Sequence, residues 1–121
     1  MIYLSRLNKS FRHAFRGFRL LFFSEQSFRL QVLAAALILL LSSWLKISIF
    51  EWLIVTFLIG CVLTLEIFNS ILERIVDTFK PRIHPVVRDI KDMTAAAVFV
   101  FSLVAAIVGV VIFLPRLIAL F

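Results

Sequence analysis

Apolar and polar positions follow two rhythms along this chain. In residues 1–24, Leu4, Leu7, Phe11, Phe15, Phe18 and Phe22 recur at steps of three and four. Arg6, Lys9, Arg12, His13, Arg16 and Arg19 fill the opposite side. Apolar residues on one face and cations on the other predict an amphipathic helix. Aromatic anchors opposite arginines suit a helix lying in a membrane interface. Packing against other protein is the alternative. Ser24 is placed to end this helix, with a hydroxyl that can cap the next.

The second rhythm is long and continuous. Three long segments built on apolar runs, residues 27–48, 51–79 and 93–114, read as membrane helices. About 20 residues at ~1.5 Å each cross a hydrocarbon core. Trp44 and Trp52 bracket a short link at residues 46–51, as interfacial aromatics do. The second run is apolar through Leu65, and its helix is expected to continue to Phe79. Pro81 and Pro85 then predict a loop running to Asp92. From Ala95 to Leu114 there is no formal charge, and Pro115 with Arg116 is expected to close the third run. Its Ala and Gly residues permit close helix packing. The pattern predicts an all-α membrane protein of one domain, 1–121. It has three transmembrane helices and an N-terminal amphipathic interfacial helix.

Composition supports the membrane assignment. At 63% hydrophobic residues the chain exceeds a soluble domain, where roughly half is usual. The net charge of +6 matters chiefly by where it lies. Arg6, Lys9, Arg12, Arg16, Arg19 and Arg29 precede the first apolar stretch, against one acid, Glu25. Arg74, Lys80, Arg82, Arg88 and Lys91 surround the second loop, whereas the first link has Lys46 and the C-terminus Arg116. Such asymmetry predicts a multi-pass membrane protein with its N-terminus and second loop on the cytoplasmic side. The same placement argues against nucleic acid as a partner, because the basic residues flank membrane spans. Cys61 stands alone in an apolar run, so it forms no intrachain disulfide and belongs to no cysteine metal set. The first 25 residues lack the continuous apolar core of a secretion signal.

Within the second run, Glu66, Asn69, Glu73 and Asp77 follow at steps of three, four and four, on one helix face. A carboxylate at membrane depth is costly and usually marks a working site. Glu66, the deepest, can act as general base toward a hydroxyl presented from the bilayer. Otherwise it is a structural acid bonded to a neighbouring helix. Glu73 and Asp77 suit Mg2+, which takes one or two carboxylates with phosphate oxygens and water. They equally suit a solvated helix end. Glu25 falls at the same interface and can complete such a site. Lys91 either snorkels or neutralises a phosphate, and His84 is either a loop residue or a ligand. Gly17, Gly60 and Gly109 are the only glycines, so neither GxxxxGK nor GxGxxG is possible. Any nucleotide must be held by charged side chains, metal and helix ends.

The segment EIFNSILERIVD, followed after a loop by IKDMTAAAV, resembles the signature of the prokaryotic diacylglycerol kinase and undecaprenol kinase family. EQSFR, residues 25–29, resembles that family's acidic and Phe-Arg segment. The likeness runs from Arg6 to about Leu114. It implies an ATP-dependent, Mg2+-dependent lipid kinase, a homotrimer of three-span subunits with composite active sites in the bilayer. It implies Glu66 as the base on a membrane lipid alcohol, with Asn69 beside it, and Glu25 and Glu73 as metal ligands. By the same resemblance Lys91 contacts phosphate. Arg6, His13, Glu25, Glu73, Asp77, Arg82, Ile83, His84, Lys91 and Asp92 form the ATP site, and Phe28, Arg29 and Ala95 meet the lipid. Gln31 departs from an acid found in some members, His13 from a tyrosine, and Ala95 from Gly or Ser. The loop HPVVRDIKD and the ending VGVVIFLP resemble Gram-positive members. That leans the acceptor toward undecaprenol, with diacylglycerol next. Two other readings use the same residues. A small proton-coupled transporter would need Glu66 alone, and a non-catalytic membrane assembly subunit would pair its acids with arginines.

Overall fold

A computed structural model describes residues 3–78 and 85–121. It contains four helices: α1 (Leu4–Ser24), α2 (Gln26–Leu45), α3 (Ile49–Thr78) and α4 (Pro85–Leu120). No strand occurs among the described residues. The last three helices are each long and apolar enough to cross a membrane. The most extensive packing is α3 on α4, while α2 lies on α3 and also touches α4.

No residue of α1 is buried, and the stripe of Phe11, Phe15 and Phe18 is more than half exposed. An apolar face left uncovered by the other described helices is open to a lipid interface or to another subunit. One extended residue, Glu25 (φ −115°, ψ 107°), separates α1 from α2. Ser24 does not cap α2. Its hydroxyl donates back to the Leu20 carbonyl one turn earlier and accepts from Arg74. The back-bond satisfies it locally, the usual competitor to capping.

The α2–α3 link is tighter than the sequence pattern suggests. Lys46 takes a left-handed conformation (φ 53°, ψ 55°), and its N–H donates to the Ser42 and Ser43 carbonyls. These bonds satisfy orphan carbonyls and end α2 at Leu45, short of residue 48. Ser48 Oγ then accepts from the Glu51 N–H at 3.2 Å. The Glu51 carboxylate accepts from the Ser48 N–H at 3.1 Å. This reciprocal pair is a capping box, and it starts α3 at Ile49. Ile47 drops from the link into a small core with Val55, Ile112 and Phe113.

The ends of α4 differ from expectation. Pro85 begins the helix, since a first-turn proline forfeits no helical hydrogen bond. The expected loop residues 85–92 are therefore helical. Pro115 does not close α4, which continues to Leu120. A proline there leaves the Val111 carbonyl without its helical donor. Arg116 ties down the turn beyond it. Its guanidinium donates to both Glu51 carboxylate oxygens at 2.6 and 2.7 Å, and to the Ile112 carbonyl at 3.1 Å.

Candidate active site

Capped at Ser48 and uninterrupted for 30 residues, α3 spans about 45 Å, more than the ~30 Å hydrocarbon core. One end of its polar face can therefore reach water. Val62, Glu66 and Ser70, spaced by four, are buried on that face. Glu66 is 5% exposed. Asn69 Nδ2 donates to Glu73 Oε1 at 3.4 Å, which ties the amide to the next carboxylate. Asn69 Oδ1 is buried and has no donor among the described residues. A buried acceptor left in this way needs a partner from elsewhere.

The break between α1 and α2 brings Glu25 to this face. The charges of both Glu73 and Glu25 act on Glu66. Arg74 of α3 pins the break in place. Its guanidinium donates to Ser24 Oγ at 2.6 Å and lies 3.6 Å from Glu25 Oε1. Arg29 turns back to the Phe22 carbonyl at 2.9 Å, satisfying a late carbonyl of α1. Phe28 is buried in the first turn of α2. Farther along, Lys91 Nζ of α4 meets Asp77 Oδ1 of α3 at 2.6 Å.

Of the residues singled out in sequence, Glu25, Glu66, Asn69 and Glu73 lie together, and Asp77 and Lys91 form a pair at the polar end. Arg6 stacks on the Tyr3 ring, 5.0 Å from its centroid, near the start of α1. His13 is exposed on α1, and Asp92 and Ala95 are exposed on α4. Arg82, Ile83 and His84 lie outside the described residues. In the sequence Arg74 reads only as one of the basic residues near the second loop. Its partner Ser24 is 50 positions away, beyond any helical period.

Among the described residues no group of three or more His, Cys, Asp or Glu side chains is arranged to hold a metal ion. Glu25 and Glu73 still supply two hard oxygen ligands. Mg2+ takes one or two carboxylates and fills its remaining positions with phosphate and water. The donor set thus fits an ion that arrives with a nucleotide better than a resident one.

A sequence model described as prokaryotic diacylglycerol kinase matches residues 12–113. An undecaprenol kinase of Bacillus subtilis (strain 168) is 39% identical over 114 residues, covering 94% of this chain and 93% of the relative. A diacylglycerol kinase of Escherichia coli (strain K12) is 28% identical, covering 85% and 84%. A diacylglycerol kinase of Synechocystis is 30% identical, covering 92% of this chain and 64% of its own length.

Proposed function

The chain belongs to the prokaryotic diacylglycerol kinase family, and from that premise we propose how its residues divide the work and which lipid it serves. It is a membrane lipid kinase with ATP as phosphoryl donor. Undecaprenol is the preferred acceptor and diacylglycerol the second. Supporting that order, the undecaprenol kinase relative is 39% identical and the diacylglycerol kinases about 28–31%.

The observation that carries the catalytic assignment is the buried Glu66 carboxylate, on one face with Glu73 and within reach of the charge of Glu25. In the proposed reaction the lipid hydroxyl oxygen attacks the γ-phosphorus in line. The bond to the β-phosphate oxygen breaks, ADP leaves, and the hydroxyl proton passes to Glu66. Asn69, one turn along the same face, lies beside Glu66 at the incoming hydroxyl. Glu25 and Glu73 would hold Mg2+, which would supply charge screening for the transferred phosphoryl group. Lys91 leaves Asp77 for phosphate. Asp77, Asp92, Arg82, Ile83 and His84, with Arg6 and His13 from α1, surround the nucleotide. Phe28, Arg29 and Ala95 border the lipid. Glu66 and Glu73 are about 10 Å apart along the helix axis, so the triphosphate extends from Glu73 toward the bilayer. The active enzyme is a homotrimer in the cytoplasmic membrane, with this end of α3 on the cytoplasmic side. A proton-coupled transporter has no need for Glu25 and the Asp77–Lys91 pair at the same end as Glu66.

The test is transfer from radiolabelled ATP by purified protein offered both lipids in mixed micelles. Undecaprenol should be phosphorylated with a kcat/KM several-fold above that of diacylglycerol. The reverse order would overturn the acceptor assignment, and transfer to neither would overturn the acceptor class.

A further inference from the structure

We infer that Arg74 is a built-in counter-ion that occupies Glu25 in the nucleotide-free enzyme, so that metal binds weakly until nucleotide is present. The inference rests on the proposed reading of Glu25 and Glu73 as metal ligands. Arg74 directly follows Glu73, but adjacent helix positions point about 100° apart. Its guanidinium therefore reaches sideways to the α1–α2 break, where Nε lies 3.6 Å from Glu25 Oε1 and Nη2 2.6 Å from Ser24 Oγ. Both partners of the pair keep some solvent access, 49% for the Arg74 side chain and 24% for Glu25. The contact is thus held but exchangeable.

Charge explains why a cation belongs there. Glu25 and Glu73 both act on Glu66, and like charges at short range repel. The Arg74 guanidinium relieves this repulsion in the empty site. A divalent ion approaching Glu25 must displace it or sit beside it. Without nucleotide the released guanidinium has only water and the neutral Ser24 hydroxyl. With a triphosphate present it gains an anionic partner as Glu25 turns to the metal. Metal and nucleotide affinities are then coupled through Arg74, and the coupling is reciprocal.

Mn2+ binding, followed by electron paramagnetic resonance on nucleotide-free enzyme in detergent, tests this directly. Arg74→Gln should bind Mn2+ about two- to fivefold more tightly than wild type, the scale of a partly exposed ion pair. Arg74→Lys should stay near wild type, and Ser24→Ala, which loosens the guanidinium without removing it, should give a smaller tightening. If both Arg74→Gln and Ser24→Ala bind Mn2+ no more tightly than wild type, the inference is wrong. It is also wrong if the gain persists in the Arg74→Gln, Glu25→Gln double variant, because the effect then does not run through Glu25. If Glu25→Gln alone leaves Mn2+ binding unchanged, the metal-ligand reading of Glu25 fails instead.

Discussion

Glu66 is an expensive residue where it stands, and the expense is what made it legible. An acid at the end of an apolar run has few structural excuses, so periodicity and depth were enough to select it, Asn69 and Glu73 as one face. Replacing Glu66 with Gln keeps the side-chain volume and removes the proton acceptor. The variant should insert and bind nucleotide as wild type does, while kcat falls by about 10²- to 10⁴-fold, the usual worth of a positioned base. Near-normal transfer would remove Glu66 from the base role. Glu73→Gln should act differently, raising the Mg2+ concentration for half-maximal rate while nucleotide affinity changes less. A Mg2+ titration overlaying wild type would end the metal role of Glu73. What could not be read at this scale was Arg74. Its partners Ser24 and Glu25 come from the break between α1 and α2, and no local pattern encodes a contact across that distance.

At the scale of elements, hydrophobic rhythm points to each of the four described helices, and local chemistry decides where each one ends. The Pro rule failed twice for one reason: a proline breaks a helix only if the lost donor matters. Pro85 occupies the first turn, where it does not, and beyond Pro115 the last turn is held by Arg116 on Glu51. The S-x-x-E signature of the Ser48–Glu51 capping box was present in the sequence. The neighbouring tryptophans mark the same link but do not by themselves fix the residue at which α3 starts. The carboxylate of Glu51 thus serves two helices, capping α3 and anchoring α4. Ser48→Ala should cost about 1 kcal/mol through the lost cap, read as a lower melting temperature in detergent. Arg116→Ala should lower the melting temperature further, because both carboxylate contacts vanish and the turn after Pro115 is released. Since the clasp lies at the opposite end of α3 from Asp77, kcat per folded molecule should hold in both variants. A loss of kcat without a loss of stability would mean that the clasp shapes the site.

The whole molecule is framed by two ion pairs, Glu51–Arg116 at one end of the α3–α4 packing and Asp77–Lys91 at the other. At ~1.5 Å per residue, the α3 segment between Glu51 and Asp77 and the α4 segment between Lys91 and Arg116 each measure nearly 40 Å. That exceeds the ~30 Å hydrocarbon core, so the two pairs fit at opposite interfaces, with the uncharged, largely apolar stretches 52–65 of α3 and 95–114 of α4 between them. Large apolar side chains are exposed along all three spanning helices, including Leu37, Leu40, Leu53, Phe57, Phe99 and Val111. This surface must be covered by lipid or by other copies, in keeping with the proposed trimer. Charge supports the proposed orientation. The six cations flanking α1 and the start of α2 lie on the chain ahead of the first crossing, and Arg74, Arg88 and Lys91 lie near the Asp77 pair. The Glu51 end has little beyond Lys46 and Arg116. Basic residues favour the cytoplasmic side, and in the proposed orientation the acid stripe then faces ATP. Cys61 sits within the apolar part of α3, so an added surface cysteine can be read over little background. In intact cells, a membrane-impermeant maleimide should label Phe121→Cys, at the exposed end of the chain beyond α4, and spare Ser10→Cys on α1. Opening the cells should make Ser10→Cys reactive. Labelling of Ser10→Cys from outside would turn the active site away from its nucleotide and overturn the topology on which the kinase mechanism depends.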